Sequence, residues 1–293
     1  MKKINYKFSL LLVLLVSFFI VRWHPIPDFF SQPKQLVENE KVDTTEDMLL
    51  FWEKQKLATA DTSTVTRALA VAKSFLGAPY VHGCLDRNEE EDLIVNLREL
   101  DCWTFVENSL AIALSYNGNY GLYQTHLRQL RYWNGKVEGY GSRIHYLTGW
   151  LLQAEECGIL QDITVSLGGI PYKKKVGYIT ARPSQYPKTS DKKVLLDLQS
   201  AEKRINEHNW YYIPIKHIAK MEHLIQEGDI IGLTSVKPDL DVTHQGIAVR
   251  LKNHIYLLHA SSIAGKVIIS KEPLIQYVSI KRGQSGIIVA RLQ

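Results

Sequence analysis

Cysteine is scarce, with three residues in 293: Cys84, Cys102 and Cys157. An odd number cannot pair completely, and so few exclude a disulfide framework. No His-Glu-x-x-His or comparable helical motif occurs, which weighs against a catalytic zinc with its three protein ligands and open site. No repeat and no low-complexity tract is present. Net charge is equally thin. The formal +5 owes four charges to Lys2, Lys3, Lys7 and Arg22, and the remaining chain carries 31 basic against 30 acidic residues. That balance excludes an electrostatic nucleic-acid footprint. Hydrophobic residues at 45% and charged residues at 22% exclude wholesale disorder. The length suits one large domain or one elaborated domain.

Only one long apolar run exists, Phe8 to Val21, broken by Ser9 and Ser17. As a helix it spans about 21 Å, short of the ~30 Å hydrocarbon core. Behind three lysines, that length fits the apolar region of an export signal within residues 1–22. Phe18 to Arg22 offer no small-x-small cleavage site, and no lipid-accepting cysteine follows. The expectation is an exported protein of the cell envelope or periplasm. Its residues 8–21 are either cleaved off or kept as an inner-membrane anchor. Residues 23–43, with Pro25, Pro27 and Pro33, read as a tether, and 44–293 as the domain. A free thiol in an exported protein is either a buried structural residue or a nucleophile.

The domain reads as α+β. Thr44-Thr45-Glu46-Asp47 supplies cap chemistry for a helix through Leu57, and a second helix runs from about Ser63 to Leu76. A third takes Asp101 as cap and runs from Cys102 to about Tyr116. The middle, about 117–224, mixes helices with a hairpin expected around Leu167 to Thr180. Five β-rich runs follow: Asp229–Thr234, His244–Leu251, His254–Ala260, Lys266–Ser270 and Gly286–Leu292. Helices first and an antiparallel sheet afterwards give the class.

Cys102 opens its helix, where backbone N–H groups and the macrodipole are expected to lower a thiol's pKa. A base must come from elsewhere, and two of the ten histidines fall on consecutive strands. A two-residue turn at Lys252-Asn253 pairs Leu251 with His254. His244 and His259 then become diagonal neighbours on one face. A three-residue loop would put them on opposite faces. Cysteine attacks, one histidine takes the proton, and a second polar group orients that histidine.

Gly77-x-Pro79-Tyr80-x-x-Gly83, Asp101-Cys102 opening a helix, Gly228-Asp229-Ile230-Ile231, His244-x-Gly246-Ile247 and Leu258-His259-Ala260-Ser261 resemble the NlpC-type cell-wall cysteine hydrolases. That resemblance implies a papain-like fold, its nucleophile helix packed on a five-stranded antiparallel sheet. It further implies Cys102 as nucleophile, His244 as base, His259 as orienter and Tyr80 beside the nucleophile. Leu100 to Glu107, Ser142-Arg143-Ile144-His145-Tyr146, Leu240-Asp241-Val242-Thr243-His244 and His259-Ala260-Ser261-Ser262 more closely resemble an amidase-like branch of that superfamily. The branch implies cleavage of the N-acetylmuramoyl-L-alanine amide of muropeptides, with no cofactor and no metal. Its candidate substrate contacts are Tyr80, Asp86, Ser142, Arg143, His145 and Asp241. Cys84 and Asp86 stand where threonine and glutamate are expected.

From Cys102 to His244 is 142 residues, long for a minimal domain of this type, so the middle is an elaboration. It is rich in Tyr and Trp, which either stack on sugars or fill core, with core favoured at each position. Arg143 and His145 could bind peptide carboxylates. The rival readings are a γ-D-glutamyl endopeptidase of the same superfamily, a papain-like peptidase, and a non-catalytic wall-binding module. Simple binding needs no nucleophile–base pair. The expected partners are peptidoglycan fragments, with no nucleic acid, and the expected state is a monomer.

Overall fold

The computed structural model describes residues 44–57 and 63–293. The export segment and tether read at 1–43 lie outside the described residues. Four helices come first and pack on one another: α1 (Thr44–Gln55), α2 (Thr64–Ser74), α3 (Cys102–Leu114) and α4 (Tyr120–Arg131). Ser63 caps α2 by accepting the Thr66 N–H. Asp101 caps α3 in a reciprocal box, its carboxylate taking the Thr104 N–H while the Thr104 hydroxyl takes its own. Residues Thr104 to Ala113 of α3 are all buried, so it is a central helix with no solvent face.

The elaboration supplies α5 (Leu147–Glu156), β1 (Leu160–Asp162), β2 (Ile170–Pro171), α6 (Lys192–Glu207), β3 (Tyr211–Pro214) and α7 (Ile215–Met221). The C-terminal part supplies β4 (Ile230–Ser235), β5 (Val242–Leu251), β6 (His254–Ser261), β7 (Lys266–Ile269), α8 (Leu274–Ile280) and β8 (Gln284–Leu292). The sheet is antiparallel, in the order β2-β3-β8-β4-β5-β6-β7 with β1 also on β8.

This corrects the expected count. The five predicted strands are β4 to β8, but the sheet has eight. The three additional strands come from the elaboration and run two to four residues, too short to show alternation. The hairpin expected around Leu167 to Thr180 does not form either. Ile170 and Pro171 pair with Tyr212 and Tyr211 instead. Pro171 has no N–H to give a local partner, and the Tyr172 N–H goes to the Trp210 carbonyl at 2.7 Å.

Both faces of the sheet are covered. On one, Ile247, Val249 and Leu258 meet Phe105, Leu110 and Trp150 from the helical layer. On the other, Leu233, Ala248 and Leu257 meet Ile218 of α7 and Leu274 and Val278 of α8. That explains why β5 and β6 are buried almost throughout.

Candidate active site

The β5–β6 turn decides the site. Lys252 and Asn253 carry φ of 50° and 67°, both left-handed, as a two-residue primed turn requires. Leu251 therefore pairs with His254 and Ile247 with Leu258, the register that brings His244 and His259 to one face. Gly246 makes this approach possible: a Cβ there would stand 2.7 Å from the Leu258 carbonyl oxygen and 2.9 Å from His259 Cβ. His244 Nε2 and His259 Nδ1 are 2.8 Å apart, with the rings perpendicular. Burial, His259 and Lys281 together hold His244 well below the ordinary histidine value. Burial and Lys281 lower His259 to about 4. Both imidazoles are neutral at neutral pH.

Cys102 opens α3, the helix that packs against β5 and β6. The backbone N–H dipoles of Gln245, the residue after His244, and of the helix start at Cys102 and Trp103 favour the Cys102 thiolate. Those helix-start donors lower the thiol's pKa as expected, but burial and the adjacent Asp101 carboxylate outweigh them. The thiol is pushed up to about 12, which reverses the expected direction. Tyr80 is held by its backbone beside Leu100, two residues before Cys102. Its N–H goes to the Gly265 carbonyl and its position pairs with Leu100. Burial and the Cys102 charge both raise its phenol.

The remaining sequence candidates form other clusters. Asp241 is buried, and its Oδ2 accepts the Thr148 N–H and hydroxyl, both at 2.9 Å. It thereby caps α5, whose N-cap residue Tyr146 supplies no side-chain cap. Arg143 donates to Asp86 Oδ1 at 2.5 Å and to the Leu85 carbonyl at 2.7 Å, with Glu91 3.5 Å away. His145 Nε2 lies 3.1 Å from the Tyr140 carbonyl, and burial followed by Arg143 lowers it to about 4. Ser142 accepts the Glu138 N–H and donates to the Gly139 carbonyl, and it lines an open groove of ≈ 320 Å³ with Trp133 and Arg204. Cys102, His244 and His259 do not line that groove. Of the middle aromatics, Tyr123, Tyr132, Tyr140, Tyr146 and Trp150 are core. No set of three His, Cys, Asp or Glu side chains that could hold a metal ion gathers among the described residues. The three cysteines are free thiols, Cys84 buried and Cys157 exposed.

Residues 70–287 match the family described as AmiA-like, N-acetylmuramoyl-L-alanine amidase-like. The chain belongs to this family. A crystal structure of an N-acetylmuramoyl-L-alanine amidase from Bacteroides uniformis is 32% identical, with TM-score 0.73, covering 77% of this chain and 98% of that one. A Bacteroides fragilis protein described as a xylanase candidate is 36% identical, with TM-score 0.70, covering 75% and 98%. A Legionella pneumophila protein shares the fold at 21% identity and TM-score 0.63, covering 85% and 93%. No curated protein sequence matches.

In this amidase-like chain two residues of α8 and its end join the site without any sequence signal. The Tyr277 ring stands 5.2 Å from that of His259, and Lys281 Nζ donates to the Tyr277 hydroxyl at 2.5 Å. Nothing in Leu274–Ile280 marks this stretch as catalytic; only the packing of α8 on β6 brings it to the dyad. His259 Nε2 is buried there without a hydrogen-bond partner.

Proposed function

We propose that this chain is a cysteine-dependent N-acetylmuramoyl-L-alanine amidase of papain-like, NlpC-type ancestry, exported by its apolar N-terminal segment to act on muropeptides in the cell envelope. The observation that carries the reading is the 2.8 Å contact of His244 with His259 on the two strands against which α3, opened by Cys102, packs. Family membership and the amidase relatives support the substrate class.

In the catalytic tautomer His244 keeps its proton on Nε2 and donates it to His259 Nδ1. Its Nδ1 is then free to accept the thiol proton. Thiol and imidazole are both neutral at rest, so proton transfer accompanies attack instead of preceding it. The Cys102 sulfur bonds to the lactyl carbonyl carbon of muramic acid. The tetrahedral intermediate collapses as His244 returns the proton to the departing L-alanyl nitrogen. A water, deprotonated by His244, then hydrolyses the thioester, releasing the lactyl carboxylate and restoring the thiol. His259 fixes the ring and disperses its transient charge.

The test incubates purified protein with a defined muropeptide, with and without iodoacetamide or chelator, and identifies products by mass spectrometry. Expected are a stem peptide with free N-terminal L-alanine and a peptide-free muramyl sugar, lost on alkylation and kept with chelator. L-Ala-D-Glu left on the muramic acid would show a γ-D-glutamyl endopeptidase and overturn the reading.

A further inference from the structure

The mechanism above leaves one charged group beside the dyad unused. Lys281 is partly buried, its Nζ bonded to the Tyr277 hydroxyl and 4.2 Å from that ring's centroid. The Tyr277 ring stands 5.2 Å from the His259 ring, so Lys281 lies beside the dyad, where its charge disfavours both imidazolium forms. The two buried arginines have carboxylate partners, Arg131 with Glu107 at 2.8 Å and Arg143 with Asp86 at 2.5 Å, and buried Lys54 bonds the Ser74 carbonyl and hydroxyl. Lys281 makes no ion pair among the described residues, and Glu272 acts on it only through space. A half-desolvated ammonium lacking a counter-ion is costly, and an incoming carboxylate would offset that cost.

We propose that Lys281, held by Tyr277, recognises the free α-carboxylate of the D-glutamyl residue second in the stem peptide. The assignment rests on the amidase reading, which puts the lactyl carbonyl at Cys102 and L-alanine on the leaving side. In a stem peptide continued through the γ-carboxyl, the α-carboxylate of D-glutamate is free unless amidated. Two extended residues carry it about 7 Å from the scissile nitrogen, within reach of a four-carbon side chain on the neighbouring helix. Arg143, the cation that the sequence suggested for such a role, already faces Asp86 and Glu91. Binding the carboxylate would also cancel the positive field that disfavours the His244 imidazolium. Occupancy of this subsite should therefore raise kcat as well as lower KM.

The experiment compares N-acetylmuramoyl-L-alanyl-D-glutamate with N-acetylmuramoyl-L-alanyl-D-isoglutamine, in which the carboxylate is an amide. Wild type should favour the acid in kcat/KM by roughly 10–100-fold, the range of a hydrogen bond to a charged group. Lys281→Met should bring the acid down to the level of the amide, Lys281→Arg should restore most of the preference, and Tyr277→Phe should weaken it. Equal losses on both substrates in a Lys281→Met protein that melts like wild type would overturn the assignment, since the lysine would then act on the dyad alone. A cleaving wild type without the preference would also overturn it while leaving the amidase reading intact. Release of peptide-free muramyl sugar from neither substrate would overturn both.

Discussion

Burial is the largest cause that holds both Cys102 and His244 neutral, aided by Asp101 at the thiol and by His259 and Lys281 at the imidazole. This sets what single substitutions and pH should do. Cys102→Ala should abolish hydrolysis and keep the fold, since the capping Asp101 and Thr104 remain. Cys84→Ser and Cys157→Ser should stay active, the former because a serine hydroxyl can still donate to the Val81 carbonyl that Cys84 meets at 2.8 Å. His244→Ala should cost 10²–10⁴-fold in kcat and His259→Ala less, as loss of a base exceeds loss of its orienter. The pH profile follows from sign. His244 works as the free base, and its folded pKa lies well below the ordinary 6.5, so protonation begins only in acid. The thiol, raised to about 12, does not ionise on its own near neutrality. We expect kcat/KM to be flat from about pH 6.5 to 9 and to fall only below that range. A rise centred near 8 would instead show an independently ionising thiol and defeat the neutral-pair account. The sequence could propose Cys102, His244 and His259 because each sits in a local motif. The direction of the thiol's shift was not, because burial is supplied by β5 and β6, more than a hundred residues away.

Elements show the same division. A two-residue turn at Lys252-Asn253 could be supposed from its place between two β-rich runs, and the histidine register followed from it. The sheet's three short strands could not be read. β1 and β3 exist because β8 offers edge positions to Leu160–Asp162 and to Ile213–Pro214, pairings across more than 70 residues. Asp241 shows a local motif whose work is tertiary. It stands three residues before His244, yet its carboxylate serves the start of α5, taking Thr148 N–H and hydroxyl while Oδ1 takes the Val242 N–H. Asp241→Ala leaves three buried donors unpaired. It should cost at least the ~1–2 kcal/mol of a lost cap, and more through desolvation. By differential scanning calorimetry the melting temperature should drop, while Asp241→Asn, which keeps acceptor oxygen, should drop it less. If Asp241→Ala melted like wild type but bound substrate poorly, Asp241 would be a substrate contact instead of a cap.

For the whole molecule, the family match begins at residue 70, but the packing begins earlier. Phe51 of α1 is fully buried, stacked on Tyr123 at 5.1 Å and edge-on to Tyr120 at 5.5 Å. Gln55 donates to the Ser115 and Gly118 carbonyls, where α3 ends. Asp47 accepts the Leu97 N–H at 2.8 Å, just ahead of the loop that delivers Asp101 and Cys102. Lys54 ties α1 to Ser74 at the end of α2. One helix thus braces both ends of the segment bearing the nucleophile. Loss of the Phe51 ring alone should cost about 3–5 kcal/mol, against a total stability of about 5–15. At about 2–4 °C per kcal/mol for a domain of this size, Phe51→Ala should melt roughly 6–20 °C lower. A chain of residues 44–293 should therefore melt like the full chain and cleave soluble muropeptides at the same rate. A chain of residues 63–293 should fail to fold, or melt below Phe51→Ala, since it also loses Asp47, Lys54 and Gln55. A 63–293 chain with the full chain's melting temperature and rate would show that α1 rests on the domain without bracing it.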